Sequence, residues 1–121
     1  PVQDAKVVVL NFVAQFLEPQ ERLALFTRLQ AEMHPDGLLI VSEKVRNMDD
    51  TMQSVFDETH LNWKRANGYS DLEVAGKRNA LETVLLPETL NLHKQRINAA
   101  GFSSCDVWFQ CFNFASLVAL K

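Results

Sequence analysis

The chain has 121 residues, 47% hydrophobic and 22% charged, with a net charge of -3 at neutral pH. That is enough apolar material for one domain with its own core, and too much for a disordered chain. The charge balance gives no basic surface of the kind a nucleic-acid module needs, and no apolar run reaches bilayer-spanning length. No signal-peptide pattern opens the chain.

The first element predicted is a strand at Lys6-Val7-Val8-Val9-Leu10-Asn11-Phe12. Its run of β-branched residues favours strand over helix. Being apolar without alternation, it reads as a central parallel strand covered by helices on both faces. Only Pro1 to Ala5 precede it, and a central strand needs neighbours, so an N-terminal part is expected to be missing. Asn11 stands at its C-terminal end, the edge at which open α/β sheets bind ligands. Either Asn11 touches a ligand or it satisfies local backbone groups.

Pro19 and Glu21 suit the first turn of a helix, and Leu23, Phe26 and Leu29, widened by Leu25 and Met33, predict one over 19–33. His34-Pro35-Asp36-Gly37 ends it with a turn. Leu38 to Val41 reads as a second buried strand, making a right-handed βαβ unit with the first. Glu43, just beyond it, reads as a solvated strand-end carboxylate, with a site acid as the alternative.

A helical pattern returns over 49–64 and breaks at Ala66-Asn67-Gly68-Tyr69. Ser70-Asp71-Leu72-Glu73 matches a capping box, and a helix is predicted over 71–84 with Leu72, Ala75, Asn79 and Leu86 on a mixed face. Gly76 within it suggests close packing or a bend. Lys64-Arg65 and Lys77-Arg78 flank the Gly68 turn, as solvated basic pairs or as an anion-capture site. Arg suits the second role, because its planar fork holds a carboxylate or phosphate with two parallel hydrogen bonds.

A further helix is predicted over 89–100 with Gly101 as its C′ residue. The tail alternates as β-structure, with a short connection at Phe112-Asn113 that makes its two strands antiparallel neighbours. Trp108, Phe109, Phe112 and Phe114 read as core. Cys105 and Cys111 are expected on one face of their strand, about 20 Å apart, too far for a disulfide, and as buried thiols of a cytoplasmic protein. His34, His60 and His93 have no metal-ligand spacing, and His60 reads as structural. No nucleophile motif or P-loop is present, so no catalytic residue is nominated and no metal is expected. From the residues alone this is the C-terminal part of a doubly wound α/β domain with a ligand rim near Asn11.

The strings Val9-Leu10-Asn11-Phe12, Gln15-Phe16-Leu17-Glu18-Pro19, Leu39-Ile40-Val41-Ser42-Glu43-Lys44, Lys64-Arg65-Ala66-Asn67-Gly68-Tyr69-Ser70, Lys77-Arg78 and Trp108-Phe109-Gln110-Cys111-Phe112-Asn113-Phe114 resemble carboxy-S-adenosyl-L-methionine synthase. The resemblance implies an α/β class I S-adenosylmethionine methyltransferase (Rossmann-like) fold whose sheet ends in an antiparallel hairpin. It implies that S-adenosylmethionine and prephenate become carboxy-S-adenosylmethionine and phenylpyruvate. The product would serve a partner tRNA carboxymethyltransferase that makes 5-oxyacetyl uridine at the wobble position, so direct nucleic-acid binding is not implied. Asn11 matches a ligand-binding Asn. Arg78 matches an Arg that holds the new carboxylate, reaching in from the neighbouring subunit of a homodimer.

The resemblance covers only the C-terminal half of that family. Residues 1–121 are therefore expected to be the C-terminal part of one methyltransferase-like domain, without its cofactor-binding half. The Gly-rich turn and the ribose-binding acid are absent, so this chain by itself is expected to bind S-adenosylmethionine weakly and to be inactive. The alternatives are an ordinary methyltransferase of the same fold and a non-enzymatic oligomerisation module using its open strand edge.

Overall fold

The computed structural model describes residues 1–82 and 84–121; Thr83 and the side chains of Asn79 and Glu82 lie outside the described residues. Strand β1 (Val7–Asn11) is followed by a 3-10 turn (Ala14–Phe16), helix α1 (Pro19–Glu32) and strand β2 (Leu38–Arg46). Helices α2 (Asp50–Ala66) and α3 (Asp71–Glu82) come next, then a two-residue strand β3 (Glu88–Thr89) and helix α4 (Leu90–Ala99). Strands β4 (Ser104–Cys111) and β5 (Phe114–Leu120) complete the chain. The sheet order is β1-β2-β5-β4, with β3 beside the end of β2. β1 and β2 run parallel, as a βαβ unit requires, while β5 is antiparallel to both β2 and β4. The expected terminal hairpin is present, and its second strand inserts between β2 and β4.

One face of the sheet carries the core. Leu39 and Val41 of β2 and Leu117 and Ala119 of β5 pack with Phe26, Leu29 and Met33 of α1 and with Ile97 and Ala100 of α4. Phe26, Leu29 and Met33 are buried on α1 as expected, but the fourth member of the stripe is Arg22 and not Leu23, which is 42% exposed. The helix is turned so that an arginine, fully bonded inside, takes the first core position.

β1 is an edge strand here, paired only with β2, and it is not covered on both faces: Val7 and Val9 are half exposed and Val8 is buried. Its free edge leaves a row of backbone donors and acceptors without strand partners among the described residues, the exposure expected of a strand whose neighbours on that side lie outside this chain. β2 runs five residues past the expected Val41, because β5 pairs with it as far as Lys44–Phe114 and β3 continues at Val45 and Arg46. Two further expectations fail in the tail. The pairing of β4 slips by one residue between Val107 and Phe109, a bulge that changes which face later residues occupy. Cys105 therefore shares a face with Ala119, but Cys111 falls on the opposite face and is exposed; both thiols are free. The same bulge leaves Trp108 and Phe109 more than 60% exposed instead of in the core, with the Trp108 indole N–H donating to Ser116 Oγ at 2.8 Å.

The helix boundaries follow local chemistry. Asp49 caps α2 by accepting from Met52 N–H at 2.8 Å, and Ser70 Oγ accepts from Glu73 N–H at 3.1 Å at the start of α3. Gly76 has open space around it, so close packing does not explain it. On the expected α3 face, Leu72 is 84% exposed and Asn79 lies outside the described side chains. α4 ends in a Schellman motif: Gly101 N–H donates to Asn98 C=O and Phe102 N–H to Ile97 C=O, with Gly101 at φ 103°. A Cβ at Gly101 would also sit 3.3 Å from Gln30 Cδ. Gly101→Ala is expected to lower stability by roughly 1–2 kcal/mol, read as a drop in the midpoint of a urea or thermal unfolding curve.

Candidate functional site

The C-terminal ends of β1 and β2 are joined by a buried polar node. Glu43, 0% exposed, accepts from Ala14 N–H at 3.0 Å and Gln15 N–H at 3.3 Å. It is not the solvated strand-end group its position suggested. β2 continues past it, and strand alternation turns Glu43 to the core side with Val41 and Val45. Arg22, also 0% exposed, donates to Leu17 C=O (3.0 Å), Gln15 C=O (3.1 Å) and Leu86 C=O (2.9 Å) and pairs with Glu88. Arg96 of α4 takes the other oxygen of Glu88. The Gln15 side chain accepts from Lys44 N–H at 2.8 Å. Together these bonds fix the segment that follows Asn11 and tie it to the segment that follows α3. Asn11 itself is exposed, in register with Ser42, and its side chain makes no hydrogen bond among the described residues.

Beyond Asn11 stands an aromatic wall. Phe12 packs edge-on against Phe114 with centroids 6.1 Å apart, and Phe114 against His60 at 5.0 Å. His60 also lies 6.3 Å from Trp63 and 6.1 Å from Phe112. Phe12 and Phe112 hold φ of 54° and 50°, a left-handed backbone that costs a phenylalanine on the order of 1–3 kcal/mol.

His60 leads into a cleft of about 350 Å³ between the end of β2, α2 and α3. Five of the chain's 12 Lys and Arg line it (Lys44, Arg46, Lys64, Lys77, Arg78), against one of its 15 Asp and Glu, Asp57. Asp57 Oδ1 already accepts from Gln53 and Asn113 side-chain amides. Burial, and then Lys77 and Lys44, push the Lys64 ammonium below its usual pKa. Burial, and then Lys64 and Lys44, do the same to His60, with Asp57 pulling the other way. Like charges gathered in a concavity favour an anionic ligand. Of the two basic pairs, Lys64, Lys77 and Arg78 line the cleft, while Arg65 turns away to pair with Asp71 at 2.7 Å. Asn11 does not line it; Phe12, Phe114 and His60 connect the two. Arg78 lines a cleft of its own chain.

Sequence reasoning missed Arg22, Glu88, Arg96, Lys44 and the burial of Glu43 and His93. Only the 22-26-29 spacing of Arg22 with the core of α1 hinted at any of them. No group of three or more His, Cys, Asp or Glu is placed to hold a metal among the described residues. Those residues offer a free amide and a cationic cleft for a ligand's polar groups. Their two left-handed glycines, Gly68 and Gly101, both follow helix C-termini, so they form no glycine-rich phosphate-type turn and no nucleoside cradle.

Solved structures share this architecture. PigF bound to SAH matches with a TM-score of 0.66 at 16% identity, over 100% of this chain and 32% of that one. Human N-acetylserotonin methyltransferase in complex with SAM matches with a TM-score of 0.65 at 14% identity, over 100% and 30%. The fold is that of the class I S-adenosylmethionine-dependent methyltransferases. No family model matches the chain. Within that fold class its sequence is similar to that of curated carboxy-S-adenosyl-L-methionine synthases. It is 57% identical over 120 residues to the synthase of Geobacter metallireducens and 54% to that of Pseudomonas entomophila, covering 99% of this chain and 49% of each relative. The chain thus spans about half the length of the curated relatives it matches.

Glu43 and the equally buried His93 are proton sites shifted in opposite directions. Burial pushes the Glu43 carboxyl up from 4.5 to about 7, against the pull of its two N–H donors and of Arg22 and Arg96. Burial, then Arg96, pushes His93 down from 6.5 to about 4. Stability from Glu43 is full below pH 4.5 and lost as pH rises through 7; stability from His93 is present above 6.5 and lost as pH falls through 4. Between 4.5 and 6.5 the folded chain holds a proton on Glu43 and the unfolded chain one on His93, so the two slopes cancel. Removing one partner exposes the other. Relative to wild type, His93→Leu is expected to lose stability with rising pH across this window, and Glu43→Gln to gain it, each by about 1.4 kcal/mol per pH unit. Urea titrations at pH 4.5, 5.5 and 6.5 measure both slopes.

Proposed function

We propose that this chain contributes the anion-binding side of an enzyme that converts S-adenosylmethionine and prephenate to carboxy-S-adenosylmethionine and phenylpyruvate. The carboxylated product comes from the name its relatives carry, and prephenate from the resemblance described above; the observation that supports the reading for this chain is the cationic cleft containing Arg78. The product differs from S-adenosylmethionine by one carboxylate, and prephenate brings two. In this reading prephenate releases carbon dioxide and hydroxide, leaving phenylpyruvate. The sulfonium methyl loses a proton, which forms water with the hydroxide, and the resulting ylide carbon bonds to the carbon dioxide. Arg78 holds the new carboxylate with its planar fork, and Asn11 contacts the S-adenosylmethionine-derived part. The enzyme acts as a cytoplasmic homodimer in which the cleft carrying Arg78 opens toward the neighbouring subunit's site. Its product goes to a tRNA carboxymethyltransferase for wobble-uridine 5-oxyacetic acid. Residues 1–121 form the C-terminal part of one methyltransferase-like domain, completed by an N-terminal cofactor-binding half.

Incubation of a protein of full synthase length carrying this chain with both substrates is expected to give S-adenosylmethionine enlarged by one carboxyl group in the mass spectrum. A methylated acceptor instead would make it an ordinary methyltransferase. The 121-residue chain alone is expected to bind S-adenosylmethionine more weakly than micromolar, so calorimetry reporting roughly -8 kcal/mol or better would refute the missing-cradle argument. In the full-length protein, Arg78→Ala is expected to weaken the carboxylated product about ten- to hundredfold, the worth of a charge-assisted hydrogen bond of roughly 1.5–3 kcal/mol. Plain S-adenosylmethionine should change far less, and Arg78→Lys should fall between. Equal loss for both ligands in competition titrations would make Arg78 a structural residue.

A further inference from the structure

We propose that Lys44 and Lys64 form a second anion subsite in the cleft, so that the cleft selects a small dicarboxylate whose two charged ends are held on different walls. The ligand's identity rests on the reading above; the requirement for two anions rests on the cleft alone. Lys77 and Arg78 are neighbours on α3, and one carboxylate neutralises that wall. Lys44 comes from β2 and Lys64 from the last turn of α2, so both line the cleft from elements other than α3, and Lys44 is close enough to lower the Lys64 pKa. Neither has an ion-pair partner among the described residues, and Asp57 is occupied by two amides. The rest of the lining is largely aliphatic, with Leu61, Val74, Leu81 and Leu85. An apolar lining beside charged groups suits a short carbon spacer between two carboxylates. Mutual repulsion among Lys44, Lys64 and Lys77, which adds to burial in lowering the Lys64 pKa, is relieved when the second anion arrives.

The test titrates the 121-residue chain by calorimetry with succinate, butyrate and inorganic phosphate: a dicarboxylate, a monocarboxylate of equal length and a compact anion. Succinate is expected to bind about tenfold tighter than butyrate or phosphate, the worth of one further charge-assisted contact. Lys44→Ala and Lys64→Ala should each bring succinate down to the butyrate level, Lys64→Arg should retain most of the preference, and Lys94→Ala, outside the cleft, should change nothing. Circular dichroism checks that each variant folds. The absence of succinate binding, phosphate binding as tightly as succinate, or a preference that survives both Lys→Ala changes would each overturn the proposal. The mass-spectrometric assay reads the reaction separately. Dicarboxylate selectivity without carboxylated product would remove the enzymatic reading and leave the subsite, whereas product without selectivity would remove the subsite.

Discussion

The buried guanidinium of Arg22 is the constraint from which the site's geometry follows. It joins the segment after β1 to the segment after α3 through Gln15 and Leu86 carbonyls, and reaches α4 through Glu88 and Arg96. A fully buried charge is tolerable only when its donors are used, and removing one partner of such a pair typically costs about 3–5 kcal/mol. Glu43 works from below, holding the 3-10 turn by two backbone N–H groups. The loop carrying Asn11 and Phe12 is therefore a rigid rim, held by side chains from α1 and β2. Rigidity of this kind suits a ligand contact, because little ordering remains to be done when the ligand arrives.

The elements legible in the sequence were those with local chemistry. Pro19 at the head of α1, the Ser70 capping box, Gly101 at the end of α4 and the short Phe112-Asn113 connection each predict the structure that appears. What stayed hidden depends on distant partners. The insertion of β5 between β2 and β4 extends β2 past Val41 and buries Glu43, and nothing near Glu43 announces a strand arriving from residues 114–120. Arg22 occupies a core position that a polarity pattern assigns to solvent. The β4 bulge reverses the exposure of Trp108 and Phe109 because a strand's alternation survives only while its register holds. Its chemistry and the resemblance point to Arg78, which lines the cleft; nothing in the sequence points to Lys44, which lies in the part of β2 beyond the strand end that the sequence suggests.

Strain gathers at the same end of the sheet. Phe12 and Phe112 both adopt left-handed backbone, and both rings belong to the wall shared with Phe114, His60 and Trp63. Left-handed Phe12 turns the chain sharply out of β1, which leaves Asn11 at the sheet's rim while its neighbour folds into the aromatic group. Ring packing offsets part of the backbone cost, since aromatic pairs contribute about 0.5–1.5 kcal/mol beyond burial. Phe112 lies in the tight turn between β4 and β5, where a left-handed backbone is ordinary, and Phe12 at the exit of β1, so the wall forms where the chain turns at this end of the sheet.

The electrostatics of the cleft carry the argument one step further. The chain is net negative, with 15 acidic against 12 basic residues, yet five of those basic residues share one concavity with a single acid. Burial first, and then repulsion among these cations, lowers the pKa of Lys64 and His60, so the gathered charges do not stabilise the empty cleft. A negative surface around a positive cleft repels anions broadly and attracts them at one place, and low-dielectric walls focus that attraction. The destabilisation stored among like charges is returned when an anion binds, which makes affinity depend on the number of charges the ligand brings and not only on its shape. The same cations that make the empty cleft unfavourable therefore set its selectivity.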